Sequence, residues 1–158
     1  MMGEYFSRVQ GVKTIVLRNA GFGSARGFNL KTMGSFMLTQ RICTRKDMVR
    51  AAVLAIENNV LEHEVFLLVN DTEFTKQDLP ALRTNPEQVV EKHYPGGVAL
   101  LKEYGIDIQE IHRRKYLWKL DDNSKAKRLL GWKPTFTFRD FYEKLKAGRY
   151  PKDYVFHD

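Results

Sequence analysis

The stretch Asp122–Phe138, DNSKAKRLLGWKPTFTF, restricts the chain more than any other. Asp122 or Asn123 caps a short helix whose Ala126, Leu129 and Leu130 point to one side, and Gly131 ends it in a left-handed turn. Trp132 then buries a large ring beside the turn. Pro134 blocks any return to helix, and Thr137 with Asp140 forms the capping box of the next one. That next helix, Phe138–Lys146, shows Phe138, Phe141, Tyr142 and Leu145 on one face and stops at Gly148.

The upstream part reads as alternating elements. Gly3–Val12 forms a helix, and Val12–Leu17 is a strand rich in β-branched residues that ends at Arg18. Phe28–Gln40 shows no clean helical period. Thr44 and Asp47 make a capping box for an amphipathic helix with Val49, Ala52, Val53, Ile56 and Val60 at helical spacing. In Glu64–Asn70 the run Val65–Val69 is apolar throughout, which suits a strand covered on both faces of a parallel sheet. Strand, helix, strand is the unit of an α/β fold. Thr75 with Asp78 caps a short turn before Pro80, and Asn85-Pro86 opens a helix over Pro86–His93. A further helix is expected at Val98–Tyr104, closed by Gly105, while Ile106–Lys119 is ambiguous, an extended course being one reading. Arg149–Asp158 is a polar, aromatic-spotted tail, so the domain proper is 1–148 and the tail 149–158.

Composition narrows the classes. At 158 residues the chain has the size of one domain with a real core. A single cysteine, Cys43, excludes an internal disulfide and fits a reducing, cytoplasmic setting; in its apolar run it reads as packing. No apolar run approaches a membrane span, and Met1–Gln10 lacks the apolar centre of a signal peptide. The net charge of +7 points to anionic partners. Its dense run is Arg113-Arg114-Lys115, and elsewhere bases alternate with acids, so a solvated surface is preferred to a nucleic-acid interface. Four scattered histidines, His63, His93, His112 and His157, give no ligand pair at metal spacing.

The catalytic motifs are equally spare. Gly21–Gly27 follows a strand, as a dinucleotide-binding turn does, but no helix opens directly behind it and no acid ends a second strand at ribose distance; it reads as a loop. Tyr142-x-x-x-Lys146 has the spacing of a short-chain dehydrogenase pair, yet Tyr142 belongs to the apolar face of its helix and reads as packed. No P-loop or nucleophile elbow is present in the sequence.

The pattern Asp-x-Ser-Lys-Ala followed by Leu-Gly-Trp-x-Pro resembles the C-terminal signature of the NAD-dependent epimerase/dehydratase family, the extended short-chain dehydrogenases/reductases. Gly3-Glu4-Tyr5-Phe6 and Ile15-Val16-Leu17-Arg18 are similar to the family's catalytic-helix end and the strand after it. Gly21-Phe22-Gly23 stands where the family has Tyr-Gly-Pro, without the proline. Lys46-Asp47-Met48-Val49 is similar to its Asp-Val-Ala helix, and Glu64–Asn70 to its last large strand. The resemblance covers nearly the whole chain but only the second part of the family's domain.

It implies an α/β, partial Rossmann-like fold: the C-terminal strands and helices of the extended short-chain dehydrogenase, without the N-terminal cofactor-binding half. It also implies the substrate-binding segment of an NAD(P)-dependent oxidoreductase or epimerase acting on a sugar, nucleotide sugar or similar small alcohol. Such a segment is expected to be inactive by itself, because the cofactor glycines and catalytic Tyr-Lys pair lie in the part not represented; no cofactor is expected to bind this chain alone. The alternative is a non-catalytic binding or regulatory module that pairs with a full-length homologue. By the same resemblance Arg41, Arg113 or Arg114, and Asn29 are the substrate-binding candidates, the arginines because a guanidinium fork grips diphosphate with two charge-assisted hydrogen bonds. Two strands make a poor sheet, and their open edges predict either a truncated gene product or a chain that completes its sheet with a homo-oligomeric or cofactor-binding partner.

Overall fold

The computed structural model describes residues 2–21 and 27–156; Phe22–Arg26, the middle of the glycine loop, lies outside them. The chain is mixed α/β. Helix α1 (Met2–Gln10) leads into strand β1 (Thr14–Asn19), followed by α2 (Leu30–Leu38), α3 (Arg45–Glu57) and strand β2 (His63–Leu68). A 3₁₀ turn at Lys76–Asp78 then opens α4 (Leu79–Thr84), α5 (Pro86–His93), α6 (Gly97–Glu103) and α7 (Ile108–Arg113). A short π-helical segment, Ala126–Leu130, precedes α8 (Phe138–Lys146). Among the described residues β1 and β2 form the whole sheet; they run parallel, with Thr14 beside His63 and Asn19 beside Leu68.

Two hydrophobic cores divide the work. The smaller lies against the sheet, where Cys43, Ala51, Phe66, Leu68, Ala126, Leu130 and Trp132 are buried together. The larger is helical and aromatic: Tyr94, Phe138, Phe141 and Tyr142 meet edge-on or tilted inside a shell from α2, α5, α6 and α7. Gly34 lets α2 approach the α8 side of this core, since a Cβ there would lie 2.4 Å from Ile106 Cδ1 and 2.8 Å from the Phe141 ring.

Local signals placed most boundaries. Thr137 and Asp140 form the full box, with the Thr137 amide donating to Asp140 Oδ2 at 2.7 Å. Asn85 Oδ1 accepts from the Gln88 amide and Pro86 opens α5. Gly131 takes φ 68° and donates its amide to Ala126 O, closing the π turn. Asp122 accepts from the Ser124 amide, whereas Asn123 is buried and donates to Val69 O and Asp71, tying the turn to the end of β2.

Three expectations are corrected. Phe28–Gln40 contains α2, capped by Asn29, because Leu30, Met33, Met37 and Leu38 share a buried face that the intervening Gly34 and Ser35 obscure. Ile106–Lys119 is not extended: Asp107 Oδ1 caps α7 through the Gln109 and Glu110 amides, and turns follow. The turn before Pro80 forms over Lys76–Asp78 with its Thr75–Asp78 box, and Pro80 sits in the first turn of α4, where its missing N–H costs nothing. The amphipathic stripe of α3 is exposed rather than buried, with Ile56 84% and Val53 45% open to solvent, while Asp47 and Ala51 face inward.

Asp78 joins the 3₁₀ turn to α5. It is buried and accepts from the Thr75 amide and hydroxyl, from Lys92 at 2.7 Å and from His93 Nε2 at 3.0 Å. Burial works to raise its pKa, but these bonds, led by Lys92, outweigh it and hold the carboxyl well below the ordinary aspartate value of about 3.9. A folded-state pKa below the unfolded one stabilises the protein above the unfolded value and is lost as pH falls towards the folded one. The urea midpoint is therefore expected to drop between pH 6 and pH 3. Asp78→Asn should lower it at pH 6, and the gap between the two proteins should narrow, without closing, as pH falls to 3; a gap that does not change with pH would remove Asp78 as the cause.

Candidate functional site

A cavity of about 780 Å³ opens between α2, the start of α3, α8 and the C-terminal residues. Its size is that of a small-molecule site. Met33, Met37 and Ile42 form an apolar base. Phe136, Tyr150, Tyr154 and Phe156 form an aromatic wall, held because residues 149–156 fold back: Phe156 N–H donates to Phe28 O at 2.9 Å, and Gly27 N–H donates to Phe156 O at 2.8 Å. Burial raises the Tyr150 hydroxyl pKa, so Tyr150 stays uncharged at neutral pH.

The rim is basic. Arg45, Lys46 and Arg50 come from the first turns of α3, and Lys144 comes from α8 with its Nζ 4.5 Å from the Phe136 ring centroid. Among the described residues that line the cavity there is no carboxylate. The α3 N-terminus adds its partial positive charge. At the base lies Asn70, which is 1% exposed. Its Nδ2 donates to Phe136 O at 3.1 Å, but its buried Oδ1 has no partner among the described residues. An unsatisfied buried acceptor costs about 1–3 kcal/mol.

Asp47 sets the angle at which α3 meets this cavity. Thr44 Oγ1 accepts from the Asp47 amide, as the capping box requires, but the carboxylate turns elsewhere. Oδ2 accepts from the Thr44 hydroxyl at 2.7 Å, and Oδ1 from the Thr135 amide and hydroxyl at 3.0 and 2.8 Å. Arg50 Nη1 approaches Oδ1 at 3.4 Å. Trp132 Nε1 donates to the Asp47 carbonyl at 2.8 Å. The capping residue and the Gly-Trp-x-Pro segment are thus one unit, and Thr135 becomes a cavity wall.

The residues singled out in sequence lie elsewhere. Arg41 stacks its guanidinium 3.9 Å from the Tyr116 ring centroid. Arg114 pairs with Glu110 at 2.9 Å, and its pKa is raised, first by the Tyr116 side chain and then by Glu110. The fold therefore brings Arg41 and Arg114 to the same tyrosine. Arg113 is exposed beside them. Asn29 Oδ1 accepts from the Thr32 amide as the cap of α2, and Asn29 bridges to Val155. None of the four lines the cavity. Its Lys46, Asn70, Lys144 and aromatic tail residues carry no common spacing in sequence that would group them.

Two reactive-looking groups are inert in this setting. Burial pushes the Cys43 thiol up to about 12, and Sγ donates to Leu68 O. Tyr142 is packed in the aromatic core with its hydroxyl on Pro95 O at 2.9 Å. Among the described residues there is no metal-binding cluster, and no helix is long and apolar enough to cross a membrane.

The sheet has one further open feature. Thr14 N–H and Ala20 N–H donate to Glu62 O and Leu68 O, so by parallel alternation the amides of Ile15, Leu17 and Asn19 point away from β2. On one face lies α1, whose Tyr5 and Val9 are more than half exposed; on the other lies α3 with its open Val53 and Ile56.

Compared with known proteins, the chain matches no family model and no curated protein. Among solved structures it is similar to UDP-N-acetylglucosamine 4-epimerase from Bacillus cereus, with a TM-score of 0.48 and 16% sequence identity over 94% of this chain and 48% of that one. The chain spans about half the length of that protein.

Proposed function

We propose that the chain is a substrate-binding segment of an NAD(P)-dependent epimerase/dehydratase-like oxidoreductase for a sugar, nucleotide sugar or similar small alcohol, inactive until a second α/β unit completes its sheet. The observation that carries this reading is the outward row of β1 amides with bare apolar helix faces on either side. A helix that is apolar towards its own core and towards solvent is built to be covered twice. α3 is such a helix: Ala51 is buried and Ile56, near the opposite side, is open. The open row accepts a strand and the two stripes accept its flanking layers. The segment's own contribution is an anion contact at Arg41 and Arg114, which converge on Tyr116 with Arg113 adjacent, and Asn29 positions the chain by capping α2.

The purified chain is expected to show no NAD(P)-dependent turnover of nucleotide sugars. Its Ile15, Leu17 and Asn19 amides should exchange with deuterium at least about tenfold faster than those of Val16 and Arg18. Tight NAD binding with turnover, or equal protection along β1 in a monomer, would overturn the reading. The second reading, a regulatory module that pairs with a full-length homologue, draws on the same open edge. It requires that a cofactor-binding homologue slow exchange at Leu17 without any gain of activity.

A further inference from the structure

We propose that the cavity between α2, the start of α3, α8 and the returning C-terminal residues binds a planar aromatic molecule that carries an O–H or N–H donor. The site lies within this chain and does not depend on a sheet partner. One part of its lining selects the ring and another selects the donor.

The ring is selected by the surfaces that face the space. Met33, Met37 and Ile42 form the base, and Phe136, Tyr150, Tyr154 and Phe156 form the wall. Three wall rings already pack on one another: the Tyr150 and Tyr154 centroids are 4.8 Å apart, those of Tyr154 and Phe156 5.1 Å, and those of Tyr150 and Phe156 5.6 Å. The backbone bonds from Phe156 to Phe28 and from Gly27 to Phe156 hold this cluster in place before any ligand arrives. A planar ring gains offset or edge-on contacts against such a wall, and a saturated ring of similar size does not. The two thioethers of the base add polarisable, adjustable contacts to the same ring. A sugar suits this lining poorly, because its hydroxyls would lose water against a largely apolar surface. The volume of about 780 Å³ takes a fused-ring molecule whole.

The donor is selected by Asn70, which borders the cavity and is 1% exposed. The residue is fixed at both ends: its backbone carbonyl accepts from Gln40 Nε2 at 2.8 Å, and its Nδ2 donates to Phe136 O at 3.1 Å. The second bond assigns the side-chain amide, since the reverse orientation would set two oxygens against each other. Oδ1 is left without a partner among the described residues. A fixed, unsatisfied acceptor beside an apolar cavity favours a ligand that brings a hydrogen there and disfavours one that presents a lone pair.

The test titrates the full chain at neutral pH and follows its amide spectra. The probes are 2-naphthol, 2-methoxynaphthalene, in which the donor is methylated, and decahydro-2-naphthol, which keeps the hydroxyl and saturates the rings. 2-Naphthol is expected to bind tightest, with the ether weaker by about tenfold and the saturated alcohol by at least about threefold. Shifts are expected at the Asn70 side-chain NH₂, Met37, Thr135 and Tyr154. Tyr154→Leu keeps an apolar side chain but removes a ring; it should weaken 2-naphthol by at least about threefold and leave decahydro-2-naphthol unchanged. Absence of saturable 2-naphthol binding, equal affinity for the ether or for the saturated alcohol, or parallel losses for both alcohols in Tyr154→Leu would overturn the proposal. So would shifts gathered at Arg41, Arg114 and Tyr116, which would place the ligand at the anion contact instead.

Discussion

Replacing Trp132 with alanine is expected to cost about 3–5 kcal/mol, the range for removing a fully buried large aromatic ring. The side chain is 0% exposed in the smaller core, between the π turn and the underside of the sheet, where Phe66 and Leu68 supply the facing surface. Neighbours cannot collapse into the space easily. On one side is the tight Ala126–Leu130 turn fixed by Gly131, and on the other is a strand pair fixed by its register. The loss also frees the indole bond to the Asp47 carbonyl. Trp132→Phe separates the two terms: it keeps most of the ring and loses the donor, so it should cost about 1–2 kcal/mol. Urea denaturation read by circular dichroism gives both values. A cost below about 1 kcal/mol for Trp132→Ala would mean that the π turn does not anchor the sheet.

Asp47→Ala should cost less, about 1–3 kcal/mol, for a different reason. It removes no large volume but takes away the buried carboxylate that accepts from the Thr44 hydroxyl, from the Thr135 amide and hydroxyl and from Arg50, donors that lie at or near the surface. Asp47→Asn keeps one acceptor oxygen and should fall between wild type and alanine. The pairing can be isolated. If Thr135 is an obligate partner, Thr135→Ala in the Asp47→Ala background should cost at least about 1 kcal/mol less than in the wild type. Strict additivity would show that Thr135 finds other partners when the carboxylate is lost.

These two residues show what could be read in advance. Thr44–Asp47 is legible as a helix start because capping is local, satisfied by atoms three residues apart. Its second half is not legible, since the carboxylate leaves the box for Thr135, far along the chain. Trp132 is legible as buried, but not the carbonyl that takes its N–H. The same division explains α2. Its cap at Asn29 is a short-range signal, but Gly34 makes sense only when Ile106 and Phe141 press against it. The cavity was hidden for this reason: Lys46, Asn70, Lys144 and Phe156 come from four separate segments, and no periodicity joins them. Arg41 and Arg114 could each be picked out, but not that Tyr116 would gather them.

The sequence by itself determined where α3, α5 and α8 start, the left-handed turn at Gly131, the parallel strand pair and the aromatic face of α8. Each follows from dihedral preference, capping or period within a few residues. The tertiary structure alone decided which apolar face is covered. Val53 and Ile56 carry as clear a helical stripe as Phe141 and Leu145, yet the first pair faces solvent and the second is buried. Periodicity states that a face is apolar, whereas burial depends on whether another layer stands opposite it, and among the described residues no layer stands opposite that face of α3.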